Sequence, residues 1–155
     1  MENALRQIRS IADYQFGQGV GAKLFPDNVE LVYSPATKRI RFINLHGTRL
    51  ATLRPTDSLL SLSVTAARFL AENVASLHCF VTVRNDVAKF VADGGDVFAA
   101  HVVKVDEEIC AKEEVIAVDE DTRVLAVGRA MLSSAEMLAF KVGVAVKVRH
   151  GSSKS

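Results

Sequence analysis

The stretch GVAVKVRHG, residues 143–151, alternates small apolar residues with bases. In an extended strand Val146 and Val148 point one way and Lys147 and Arg149 the other, because successive side chains alternate between faces. The stretch therefore reads as an edge strand that closes a barrel with its valines and shows a basic rail to solvent. Upstream, LHCFVTV (77–83), VFAAHVVKV (97–105), EEVIAV (113–118) and RVLAVGRAML (123–132) are further Val-rich runs separated by short turns. That spacing predicts a closed β-barrel. Two short helices are expected to interrupt it. NDVAKFVADGG (85–95) places Asn85 as N-cap, buries Val87, Phe90 and Val91, and stops at Gly94 and Gly95. SSAEMLAFKVG (133–143) offers Ser133 or Ser134 as cap, Glu136 in the first turn, Lys141 in the last, and Gly143 just beyond.

The first half has a different grammar. NALRQIRSIADYQFG (3–17) spaces Leu5, Ile8, Ile11 or Ala12, and Phe16 by threes and fours, which predicts an amphipathic helix with Arg6 and Arg9 outside and Gly17 as its end. VELVYS (29–34), IRFINL (40–45) and RLATLR (49–54), joined by PATKR and HGT, read as a three-stranded meander. VTAARFLAENV (64–74) lines Ala67, Leu70, Ala71 and Val74 along one helical face that covers the meander. The class is α+β, with one unit over 1–77, a second over 78–150, and residues 151–155 as a flexible tail.

Composition narrows function by exclusion. A chain of 155 residues with 49% hydrophobic content builds real cores. The longest apolar runs are far too short to span a bilayer, and the mixed N-terminus MENALRQIRS is no signal peptide, so a cytoplasmic protein without membrane contact is expected. Cys79 and Cys110 lie outside any Cys-x-x-Cys pattern and read as buried free thiols, with neither disulfide nor zinc. His46, His78, His101 and His150 are scattered, and no nucleophile elbow or Walker glycine pattern occurs; GQGVG (17–21) follows a helix and reads as a helix-ending turn. No catalytic residue, metal or cofactor is assigned. The net charge of +1 conceals segregation. DEEICAKEEVIAVDED (106–121) is strongly acidic, with Lys112 as its single base, and is expected to face away from a polyanion. Arg123, Arg129, Lys141, Lys147, Arg149 and Lys154 follow, opposed by Glu136 alone. Such asymmetry favours one face for nucleic acid.

Residues 97–151, with the AVGRA strand, the SAEML helix and the closing GVAVKVRHG strand in that order, resemble the PUA domain of archaeal proteins. LRQIRSIADYQFGQGVGAKLF and RIRFINLHGTRLATLRPTDSLLSLSVTAARFL are similar to the segment that precedes the PUA domain in archaeosine tRNA-guanine transglycosylases. The resemblance implies a pre-PUA α+β unit followed by a PUA-type pseudo-barrel. Base exchange in that family uses a (β/α)8 barrel, which takes about 250 residues, and a zinc held by three Cys and a His; two cysteines 31 residues apart cannot supply that set.

What the resemblance implies for function is double-stranded RNA, often beside a tRNA acceptor end, held at the glycine turn and the last barrel strand. The implied contacts are Lys89, Gly94, Gly95, Val97, Phe98, Arg129, Lys147 and Arg149. Glycines let a ribose-phosphate chain approach, and their amides are expected to donate to phosphate oxygens. Family members carry lysines where this chain has Gly95 and Ala100, and Asp96 adds a negative charge, both of which weaken phosphate attraction. The leading expectation is a non-catalytic tRNA-binding subunit serving a separately encoded tRNA-guanine transglycosylase catalytic chain. The alternatives are a translation-associated PUA protein acting at the ribosome or in initiation, and a small-molecule or hydrolytic role on the related ASCH barrel.

Overall fold

Leu5, Ile8, Ala12 and Phe16 recur every three or four residues, and all four are buried along one side of α1 (Glu2–Phe16). In this computed structural model, which describes residues 2–154, the chain divides into Met1–Ser76 and Leu77–Ser155. In the first unit α1 stops at Gly17, whose φ of 128° favours glycine. Gly19, also at positive φ, opens a five-residue helix α2 (Val20–Leu24) where a simple turn was expected. The two helices meet so closely at Gly21 that a Cβ there would overlap the backbone of Arg9. Asp13 Oδ1 accepts from the Gly21 amide at 2.7 Å. Arg9 is not simply a solvent residue: it donates to the Phe25 carbonyl at 2.8 and 2.6 Å and pairs with Asp27 at 2.9 Å.

The meander has four strands rather than three. β1 (Glu30–Tyr33), β2 (Ile40–Leu45), β3 (Thr48–Leu53) and β4 (Leu60–Leu62) form an antiparallel sheet in sequence order. β4 is three residues long, too short for alternation to reveal, and Gln15 of α1 pins it by bonding the amide and carbonyl of Leu60 at 2.6 and 3.1 Å. The β2–β3 link turns on His46 and Gly47, both at positive φ, as a two-residue hairpin requires. Ile43, Ala51 and Leu62 are cross-strand neighbours and buried, which defines the inner face of the sheet. α3 (Val64–Asn73) begins at Ser63, whose hydroxyl accepts from the Ala66 amide at 3.1 Å.

The second unit is a nearly closed pseudo-barrel of β5 (Phe80–Val83), β6 (Val97–Phe98), β7 (Val102–Val105), β8 (Glu114–Val118), β9 (Val124–Ala130) and β10 (Val144–Gly151). The strand order is β6-β10-β9-β8-β5-β7, with β5 and β8 parallel and all other pairs antiparallel. VFAAHVVKV breaks at a 3₁₀ turn, Ala99–His101, so one apolar run supplies both ends of the strand order. The core gathers Val81, Val83, Val91, Val97, Val115, Met137 and Val146. Because β10 lies between β6 and β9, it is not the edge strand its alternation implied.

The short helices also depart in detail. α4 (Ala88–Ala92) follows a 3₁₀ turn, Asn85–Val87, and Asn85 caps nothing; its amide and Oδ1 bond Glu120 at 3.0 and 2.9 Å. Val91 is buried, Val87 half-buried, and Phe90 exposed. α5 (Ser134–Ala139) is capped by Ser133 and Glu136 reciprocally, as its sequence implies, but Lys141 falls beyond its end. Cys79 is buried and Cys110 exposed, so only the first fits the expectation. Gly151 belongs to β10 and Ser152–Lys154 form a 3₁₀ turn where a tail was expected; Ser155 lies outside the described residues.

Replacing Gly21 with Ala places a methyl group against the Arg9 backbone, which cannot yield without shifting a helix. We expect a loss of roughly 1–3 kcal/mol in stability, as overpacking at a tight site costs. Urea unfolding followed by far-UV circular dichroism measures it.

Candidate nucleic-acid interface

α4 ends in a tight turn that consumes its own donors. Gly94, at φ 107°, gives its amide to the Val91 carbonyl and Gly95 gives its amide to Phe90, both at 2.9 Å. This is the two-bond glycine ending of a helix. The amides expected to meet phosphate are therefore already bonded within the chain. What the turn offers is space: nothing lies within 4 Å of where a Cβ on Gly94 would sit. Gly95 differs, with ordinary φ and no room, since a Cβ would strike the ring of Phe90.

The turn and the closing strand are fastened together. Asp96 Oδ1 accepts from the Val148 amide at 2.9 Å, and its Oδ2 lies 3.4 Å from Lys147 Nζ. Gly151 packs so tightly under the turn that a Cβ would overlap the Ala92 carbonyl oxygen. Ser153 Oγ reaches both the Ala92 carbonyl and Asp93 Oδ1 at 2.7 Å. Lys89, almost fully solvent-exposed, pairs with Asp93 at 2.8 Å. The ammonium of Lys89 holds the Asp93 carboxyl below its ordinary range, with help from the Ser153 hydroxyl.

Lys147 and Arg149 are not equally available on the basic rail that simple alternation places them on. The pairing of β10 with β9 slips between Val148 and His150, leaving Arg149 in a bulge. Its guanidinium reaches across to β8 and binds Glu114 with both nitrogens, at 3.0 and 2.5 Å. Glu114 is buried completely at its side chain, whereas 31% of the Arg149 side chain stays in solvent. The exposed base opposite Lys147 is instead Arg129 on β9, directly across the strand pair. Basic character thus runs across the strands, from Lys147 to Arg129.

Val97 is buried beneath the turn and pairs with Val146, so its side chain supports the face from within. Phe98 is 39% exposed. Its ring stacks on that of Phe90 at 6.4 Å and meets His101 edge-on at 6.0 Å. Phe98 was among the expected contacts, but Phe90 beside it was missed in sequence because the spacing 87, 90, 91 assigned it to the core. Glu114 was likewise read as one more acid of the 106–121 segment; its place in the Val-rich run EEVIAV was the available signal that it is buried. Asp119, another acid of that segment, is buried and bonded by the Arg123 and Asp121 amides.

The remaining chemistry is sparse. Burial, reinforced by Glu114 and Asp106, pushes the Cys79 thiol far above the thiol range, so it stays protonated and is a poor nucleophile. Among the described residues, no group of three or more His, Cys, Asp or Glu is placed to hold a metal. No helix among them is long and apolar enough to cross a membrane.

An α+β unit followed by a pseudo-barrel with a glycine turn clamped to its closing strand defines a PUA-domain architecture, and the sequence comparisons agree. Residues 80–152 match the PUA domain family, and residues 6–76 match the family described as "Patch-forming domain C2 of tRNA-guanine transglycosylase". Over nearly its whole length the chain is similar to the C-terminal region of archaeal tRNA-guanine transglycosylases. It is 39% identical over 150 residues to the tRNA-guanine(15) transglycosylase of Methanobrevibacter smithii, covering 97% of this chain and 23% of that protein. The Thermoplasma acidophilum enzyme is 39% identical over 152 residues, with coverage of 97% and 24%. The chain therefore spans about a quarter of the length of these relatives. Among solved structures, a hypothetical protein from Pyrococcus horikoshii OT3 superposes with a TM-score of 0.78 at 25% identity, covering 97% of this chain and 91% of that one. A conserved PUA domain protein from Thermoplasma acidophilum shares the fold, with a TM-score of 0.69 and 20% identity over 97% and 89% of the two chains.

Arg149→Ala takes a bidentate guanidinium away from the buried Glu114 carboxylate. Its expected cost is roughly 3 kcal/mol, the size expected for removing one partner of a buried ion pair. Arg149→Met combined with Glu114→Met, which removes both charges, is expected to recover most of that loss. Urea denaturation of the single and double variants decides it.

Proposed function

We propose that this chain binds tRNA through the face formed by the glycine turn, Arg129, Lys147 and the Phe90–Phe98 pair. We propose further that it acts as the RNA-holding accessory of a tRNA-guanine transglycosylase catalytic chain. The supporting observation is the clamp: Asp96 and Gly151 hold an open, side-chain-free turn against β10, beside exposed cations and half-open aromatic rings. A ribose-phosphate strand can approach Gly94 closely, phosphates can meet Arg129 and Lys147, and a sugar or unpaired base can lie against Phe98. The RNA-binding class of the PUA domain and the kinship with tRNA-modifying enzymes support the same reading. Arg149, engaged by Glu114, takes a supporting rather than a contacting part.

The local charge sets the expected strength. Lys147 faces Asp96 and Lys89 faces Asp93, so phosphate must compete with carboxylates already in place. Each phosphate neutralised contributes through counterion release. Arg129→Ala with Lys147→Ala is expected to reduce the slope of log affinity against log salt by roughly 1 to 2. Gly94→Asn puts a side chain into the open space and is expected to weaken binding without altering that slope. Fluorescence titration with an unmodified tRNA transcript measures both; parental affinity and slope in the double variant would overturn the proposed face.

The accessory role has its own test. Incubated alone with tRNA and labelled guanine, the chain is expected to leave the RNA unlabelled. Added to a transglycosylase catalytic chain deprived of its own C2 and PUA region, it is expected to lower the KM for tRNA. Base exchange by this chain alone, or no effect on that KM, contradicts the role.

A further inference from the structure

The sheet of the first unit presents one face that its helices do not use. Ile43, Ala51 and Leu62 point inward and are buried, so the row Val32, Phe42 and Thr52, aligned across β1, β2 and β3, lies on the other side. Phe42 is half-buried on this outer face because two arginines cover it. The Arg49 guanidinium carbon sits 3.5 Å from the ring centroid and that of Arg41 5.1 Å from it. Both arginines are exposed.

Charge on this face is uncompensated. Residues 31–54 contain Lys38, Arg39, Arg41, Arg49 and Arg54 and no Asp or Glu. Arg54 is engaged with Asp57 at 3.1 Å. The other four take part in none of the ion pairs found among the described residues. Glu30, opposite Asn44 at the far end of β1, is the single acid on the four strands. A solvated sheet face normally intersperses both signs, and the second unit does so, placing an acid beside Lys89, Lys147 and Arg149. Concentration of one sign on a flat face is the footprint of a polyanion contact.

We propose that this outer face, centred on Arg41, Phe42 and Arg49, is a second RNA-binding surface that takes the phosphate backbone of the same tRNA. It rests on the reading of the chain as a tRNA-binding protein for the identity of the RNA, but on none of the residues of the glycine turn. The ring positions the two guanidinium groups before any ligand arrives, so less side-chain freedom is lost on binding. Guanidinium matches phosphate with two parallel donors, which the lysines of the glycine-turn face cannot do.

The test titrates the full chain with an unmodified tRNA transcript across a salt series. Arg41→Gln with Arg49→Gln is expected to lower the salt slope by roughly 2 and the affinity at 0.1 M salt by about 10- to 100-fold. Arg41→Lys with Arg49→Lys, which keeps the charge, is expected to retain most of the slope. Arg68→Gln, on α3, is expected to change neither. Thermal unfolding of each variant confirms that the sheet is intact; should the Gln pair fail to fold, Lys38→Gln with Arg39→Gln in the β1–β2 turn is expected to lower the slope in the same direction. Parental binding by the folded variants overturns the proposal even if Arg129→Ala with Lys147→Ala weakens tRNA, which leaves the glycine-turn face standing. Weakening by the sheet variants alone supports the proposal and removes the glycine-turn face instead. Binding of phosphatidylserine vesicles that is lost in the Gln pair while tRNA affinity stays unchanged overturns it in favour of a lipid surface.

Discussion

One carboxylate, Asp96, decides whether the second unit has a face at all. It takes the Val148 amide and sits beside Lys147, so the loop leaving α4 cannot drift from β10. With that bond in place, Gly151 fits beneath the Ala92 carbonyl and Ser153 closes the far side. Open space at Gly94, exposed bases on β9 and β10, and the Phe90–Phe98 stack then share one neighbourhood. Asp96 lowers the positive potential there while building the surface on which any positive potential acts. A buried-edge carboxylate of this kind trades attraction for geometry, and geometry is what lets a rigid phosphate backbone find several contacts at once.

The same exchange recurs at Glu114. A fully buried carboxylate in a barrel wall is costly unless charge and hydrogen bonds surround it. Arg149 supplies both, and it reaches across only because β10 bulges after Val148. The bulge goes with a division between residues two apart in sequence: Lys147 points to solvent and Asp96, whereas Arg149 is held by the buried Glu114. Local irregularity, not composition, assigns the roles.

Periodic features were legible in the sequence and irregular ones were not. The buried stripe of α1, the Ser133 cap, and the succession of Val-rich strands follow from spacing and side-chain chemistry that operate within a few residues. The fourth strand, Leu60–Leu62, is held by Gln15 from 45 residues away, a contact no local pattern encodes. Phe90 satisfied a helical stripe on paper, but α4 is only five residues long and turns its ring outward over Gly95 toward Phe98. Gly94 and Gly95 were read both as a helix stop and as an RNA approach; the stop is present, and its hydrogen bonds use the amides expected to meet phosphate. The residues gathered around the turn were thus largely named from sequence, while which of them are paired and which are free depended on a bulge and on two carboxylates.

Charge pairing separates the two surfaces more sharply than charge count does. In the second unit each of Lys89, Lys147 and Arg149 has an acid within ion-pair distance, and binding there must displace or share existing partners. On the first unit's sheet the arginines lean on an aromatic ring, a partner that positions a cation without neutralising it. Counterions, not carboxylates, occupy such a surface in the free protein, and their release is the main source of affinity for a polyanion. A face rich in paired charges contributes shape and register, and a face rich in unpaired ones contributes long-range attraction. On the proposals above, a chain carrying one of each holds RNA by complementary means, with salt sensitivity concentrated on the sheet and selectivity on the glycine turn.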